Sequence, residues 1–176
     1  DLFHRYTEEQ ISGPRIERLN YLSDADIIAD CNAAVSFLER NSSVDSNRIG
    51  MTGFCMGGRI AWLMAAVNPT FKATVPYYGG HIMLPWGDSA QTPFDLTSNI
   101  NCPMMFHFGA TDGNPSPDDR VKLDAELTRL GKDHQFFEYA GAGHAFMDFT
   151  NPDRHHEGAA AESWPRTLEF FATHLK

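Results

Sequence analysis

The chain has 176 residues, 42% of them hydrophobic and 21% charged, with a formal net charge of −9. That length and balance predict one soluble globular domain, residues 1–176, with a continuous core. The acidic excess has no basic cluster to offset it, which speaks against nucleic acid and anionic membranes as partners. No run of about 18 apolar residues predicts a membrane-spanning helix, and no basic-then-apolar opening resembles a secretory signal. The three cysteines, Cys31, Cys55 and Cys102, are odd in number and lack metal-ligand spacing. Unpaired thiols point to a reducing compartment, and the expectation is a cytoplasmic protein.

In chain order, an irregular opening with Gly13-Pro14 leads to Ser23, which can cap a helix running to about Arg40. Ile27, Cys31, Val35 and Leu38 recur there at helical spacing. After the loop NSSVDSN, RIGMTGF predicts a strand, and Gly57 to Val67 a helix ended by Asn68-Pro69. KATVPYYG predicts a second strand. The segment from Gly79 to Asn101 is too long for an ordinary connection and predicts part of a site wall, its Phe and Trp residues read as packing. CPMMFHFG is nearly apolar throughout, as a strand buried on both faces should be. Ser116-Pro117 opens a helix to about Leu130 with Val121, Leu123, Leu127 and Leu130 facing in. HQFFEYA predicts the fourth strand. A final helix ends near Leu175, and Pro165 suits its first turn, so the residues from Ala159 predict a separate short turn. This alternation predicts an α/β fold, a mainly parallel sheet with helices on both faces. In such sheets ligands bind beyond the carboxyl ends of the strands.

Three chemistry-bearing residues fall at such ends. Cys55 follows the first strand in GFCMGG, Asp112 the third in FGATD, and His144 the fourth in GAGHAF. The order nucleophile, acid, histidine is that of α/β-hydrolases, and G-F-C-M-G matches the nucleophile elbow. A tight elbow lifts sulfur clear of its strand, and the helix start behind it favours thiolate. His144 would take and return the proton, Asp112 would orient the imidazole, and the Met56 N–H would donate to the oxyanion. Gly57 and Gly58 would let the helix approach the sheet. The blander readings are a buried structural thiol for Cys55, a turn aspartate for Asp112 and a packed histidine for His144. For Cys31, Cys102 and His107 the core reading is the expectation. His155-His156 has no third ligand at a telling spacing and reads as a loop.

GFCMGG, FHFGATD, YAGAGHAF, PYYGG and the opening DLFHR together resemble the dienelactone hydrolases (carboxymethylenebutenolidases), in that family's order and over essentially the whole chain. The resemblance implies an α/β-hydrolase fold and hydrolysis of a small ester or lactone through a thioacyl-enzyme. It implies Cys55, Asp112 and His144 as triad and no cofactor. It also extends candidate substrate contacts to Arg5, Phe54 and Tyr78. Two departures stand out. Family members carry further strands before the DLF segment, and this chain begins at that segment. The family's second substrate-binding arginine would fall at Asp148, whose charge disfavours an anionic substrate. Two rival expectations remain at this level: a catalytically silent binding module, and a thiol redox sensor needing a resolving cysteine near Cys55. The oligomeric state is not set by the sequence.

Overall fold

A computed structural model describes residues 1–14 and 17–176. Four strands, β1 (Met51–Phe54), β2 (Thr74–Tyr77), β3 (Met104–Gly109) and β4 (His134–Tyr139), form one parallel sheet in the order β1-β2-β3-β4. Among the described residues four α-helices accompany it: α1 (Asp24–Glu39), α2 (Met56–Val67), α3 (Pro117–Arg129) and α4 (Glu157–His174). Both faces of the sheet are covered. On one, Met104, Phe106 and Phe108 pack with Trp62 of α2 and Leu123 and Leu127 of α3. On the other, Val75, Tyr77 and Met105 pack with Ala159 and Phe170 of α4. The alternation along β3 is what the period-two geometry of a strand demands.

α2 is buried along Gly58–Ala66. It lies between the sheet and α1, whose Ile27 and Val35 meet Ile60, Leu63 and Met64. A helix enclosed on all sides is apolar all round, which accounts for the run IAWLMAA. The Ser23 hydroxyl accepts from the Asp26 N–H and caps α1, and a Ser116–Asp119 capping box starts α3.

Several expectations are corrected. α4 is continuous through Pro165 instead of starting there, because His156 caps it and Ala159, Ser163, Thr167 and Phe170 bury one face across the proline. Burial along the whole helix outweighs an interior proline's cost of roughly 3 kcal/mol. On α3, Val121 is 68% exposed, and Arg120 takes the inward place beside Leu123 and Leu127. The strands are shorter than read: residues 46–48 form a 3-10 turn before β1. His107 is fully buried, bonded to Thr167 and Tyr139, and burial pushes its imidazole down to about 3. Among the described residues no helix is long and apolar enough to cross a membrane.

Candidate active site

The glycines around Cys55 follow from close approach. A Cβ on Gly53 would run into the Gly57 backbone, and one on Gly58 would lie 2.5 Å from the Tyr77 carbonyl oxygen. A Cβ on Gly57 would meet open space, so of that pair only Gly58 is needed for the helix to close on the sheet. Between them Cys55 adopts φ 57° and ψ −116°, a conformation L residues rarely take. Its N–H donates to the Tyr77 carbonyl, and its own carbonyl accepts from Gly58 and Arg59, so the turn is locked to β2 and α2 at once. Met56 is the first residue of α2, and its N–H belongs to the turn of donors that a helix cannot satisfy internally.

Asp112 and His144 meet Cys55 at the same end of the sheet. His144 Nε2 lies 3.0 Å from Cys55 Sγ, and His144 Nδ1 lies 2.9 Å from Asp112 Oδ2. The Asp112 side chain is almost wholly buried, while a third of the His144 side chain remains exposed. The other Asp112 oxygen accepts from the Asn114 N–H, which fixes the carboxylate's rotation. Beneath it the buried Arg120 guanidinium donates to the carbonyls of Gly109, Asp112 and Pro115 and ties the acid loop to α3. Hydrogen bonding to Asp112 first, and to Cys55 second, pushes the His144 imidazole up to about 10 against an opposing effect of burial. Tyr78 stands edge-on to the His144 ring at 5.2 Å, and burial, then the neighbouring Cys55, raises its phenol.

A cavity of about 1160 Å³ opens over Cys55 and His144. Phe54, Met56 and Tyr78 line it with Phe3, Trp86 and Met147. Asp148 lines it too, its carboxylate accepting from Thr150. Arg5 is not among the lining residues. Its guanidinium is held by Asp30 at 2.6 and 2.7 Å, with Asp26 at 3.4 Å, so an acidic face of α1 draws it away from the site. Among the described residues, Arg18 and Arg154 bring guanidinium groups to the cavity instead. The sequence reading missed both, and it missed the buried Arg59 and Arg120. An arginine inside RIAWLMAA was a usable signal, since a charge in an all-apolar helix must find a buried partner. His156, read as part of a loop, caps α4 through its ring nitrogen.

The dienelactone hydrolase family model matches residues 2–175. The chain belongs to the dienelactone hydrolase family. It is 34% identical over 149 residues to a protein of Salmonella typhimurium named "Putative carboxymethylenebutenolidase", covering 85% of this chain and 54% of that one. It is 35% identical to a Bradyrhizobium protein named "Probable 2-oxo-3-(5-oxofuran-2-ylidene)propanoate lactonase", covering 88% of this chain and 62% of the relative. The crystal structure of a "Putative Dienelactone Hydrolase" from Klebsiella pneumoniae superposes with a TM-score of 0.85 at 31% identity, covering 97% of this chain and 72% of that one. The chain thus spans about half the length of several curated relatives, and its α/β architecture is that of the family's α/β-hydrolase fold.

Proposed function

We propose that this protein hydrolyses a small ester or lactone with Cys55 as nucleophile, His144 as proton carrier and Asp112 as the group that orients it. The observation that carries the reading is the unbroken series Cys55 Sγ, His144 and Asp112, with spacings of 3.0 and 2.9 Å at the carboxyl end of a parallel sheet. A raised imidazole beside a thiol favours the imidazolium–thiolate pair, the reactive form of a cysteine nucleophile.

The chemistry runs in two halves. The thiolate adds to the carbonyl carbon, and the oxyanion forms against the Met56 N–H, a contact worth roughly 3–4 kcal/mol per donor in other enzymes. The C–O bond breaks as His144 delivers its proton to the departing alcohol oxygen, or to the ring oxygen of a lactone. Water then adds to the thioester while His144 takes its proton, and the C–S bond breaks to release the carboxylic acid and restore the thiolate. Asp112 keeps Nδ1 protonated throughout, so Nε2 is always the nitrogen that exchanges the proton.

The name borne by the Bradyrhizobium relative supports lactones among the substrates. Asp148 shares the cavity wall with Arg18 and Arg154, so an anionic substrate would meet charges of both signs there. The redox-sensor alternative gains no support from the other cysteines: Cys102 faces Thr74 at the opposite end of the strands, and Cys31 packs beside α2. No cofactor enters this chemistry. A reducing, cytoplasmic setting would keep the Cys55 sulfur from being oxidised. Hydrolysis of p-nitrophenyl acetate and of a neutral five-membered lactone, compared with Cys55→Ala, tests the proposal. Equal rates in the two proteins would end it.

A further inference from the structure

Arg59 lies four residues after Cys55 on α2, and its side chain has no solvent exposure. The guanidinium pairs with Asp24 through two bonds, at 2.6 and 3.0 Å. Its remaining donors do not go to α2. Nε donates to the His81 carbonyl at 3.1 Å and NH2 to the Leu84 carbonyl at 2.7 Å, and Cζ lies 3.9 Å from the centre of the Trp86 ring. Asp24 completes the arrangement. Its carboxylate accepts from the Trp86 N–H, and its own N–H donates to the Trp86 carbonyl. Next to it Gly87, at φ 66°, packs so closely on Ser23 that a Cβ would lie 2.5 Å from the serine's.

One buried ion pair therefore holds the segment from His81 to Trp86, which has no regular secondary structure of its own. That segment is also part of the cavity wall, because His81 and Trp86 line the cavity together with Cys55 and His144. His81 sits at φ 55°, and its N–H donates to the Asn114 side chain, which in turn fills the space a Cβ on Gly80 would need. Hydrogen bonding from the acid loop fixes one end of the wall, and the Arg59–Asp24 pair fixes the rest.

We propose that Arg59 is a positioning residue that sets the shape of the His81–Trp86 wall, and that this wall selects bulky, aromatic acyl groups over small ones. A buried arginine spending two donors and its ring-stacking face on an irregular segment is costly to desolvate, and a fold needing only core volume there would use an apolar side chain. Trp86, with the Arg59 guanidinium over its ring, is an aromatic member of the cavity lining, and an aryl group can add to such a ring by stacking or edge contact. The inference rests on Cys55 being the nucleophile for its kinetic arm, and its labelling arm needs only the Cys55 thiol.

The test uses Arg59→Lys, which keeps the charge against Asp24 but loses the fork and the stack, and Trp86→Ala, which keeps the ion pair and removes the wall's aromatic face. Both are made in the full-length protein. The first measurement is the ratio of kcat/KM for an aryl-acyl ester to that for the matching acetate, expected to fall about tenfold in each variant, chiefly through KM. The second is the rate of Cys55 labelling by N-(1-naphthyl)maleimide relative to iodoacetamide, mapped to the Cys55 peptide, expected to fall several-fold. A general loss of structure would instead expose Cys31 and Cys102 to both reagents, which the same peptide map reads. An unchanged or raised ratio in both variants overturns the proposal. Absence of ester hydrolysis by the unaltered protein would count against the nucleophile assignment alone, and the labelling ratio would still decide on the wall.

Discussion

The proposed triad and the rim of the cavity lie close together, yet they are held by different means. Cys55 sits on a strained turn locked to β2 and α2, and the Asp112 loop is tied down by Arg120 and by Asn114. His144 bridges the two. At the rim, Phe149 is 81% exposed on the loop after β4, and Arg5 answers to Asp30 instead of the cavity. Backbone geometry determines the first group. The second depends on which charges the tertiary fold brings near. Substitutions at the triad should therefore act on the chemistry all at once, and those at the rim only by degrees.

The largest effect is expected at the triad. His144→Ala should lower kcat/KM for a neutral ester by about a thousandfold or more, with little change in thermal unfolding. Asp112→Asn should cost about ten- to a hundredfold, and the double variant should be at most a few-fold worse than His144→Ala alone, because the two act as a unit. Multiplying losses in steady-state kinetics would uncouple Asp112 from His144.

The raised imidazole has a pH signature. His144 binds its proton more tightly in the folded protein, so its contribution to stability is whole below the ordinary imidazole range near 6.5 and is lost as pH rises through about 10. Hydrolysis of an alkyl ester, whose alcohol needs a proton to leave, should lose activity over the same alkaline limb. Asp112→Asn removes the main cause of the raised value, and the limb should move toward neutrality. A pH–kcat/KM profile checks this, and an unmoved limb would break the assignment.

Next in size is Gly58→Ala, whose methyl would press on the Tyr77 carbonyl. Overpacking of this kind costs about 1–3 kcal/mol, readable in a urea unfolding midpoint. At the rim, Asp148→Asn should favour an anionic over a neutral lactone by only a few-fold, and less in high salt. Arg5→Ala should change kcat/KM less than twofold, because Arg5 lies outside the cavity. A tenfold loss there would restore Arg5 to substrate binding and erase the distinction between triad and rim.

What the sequence made legible follows the same division. Glycines at Gly53 and Gly58, strands of apolar residues and caps at Ser23 and Ser116 are local demands of the backbone, so the four strands, their parallel direction and the meeting of Cys55, Asp112 and His144 could be read residue by residue. Pro165 misled because its local preference lost to burial along one face of α4. Val121 misled because helical spacing alone does not say that an arginine will turn inward. Arg5 matched a motif, but its partner lies 25 residues away on α1, and no local pattern encodes such a pairing. Arg59 and Arg120 were visible as letters, while the carbonyls they gather come from segments up to 25 residues away.

The central claim is that Cys55 carries the acyl group. The full-length protein would be mixed with an ester of a slowly released acyl group, quenched in acid within the first turnover and examined by intact mass and peptide mapping. The account predicts one acyl group, on Cys55, removed by neutral hydroxylamine as a thioester is and missing from Cys55→Ala. Continued turnover with no acyl group on Cys55, or with the group on another residue, would contradict it.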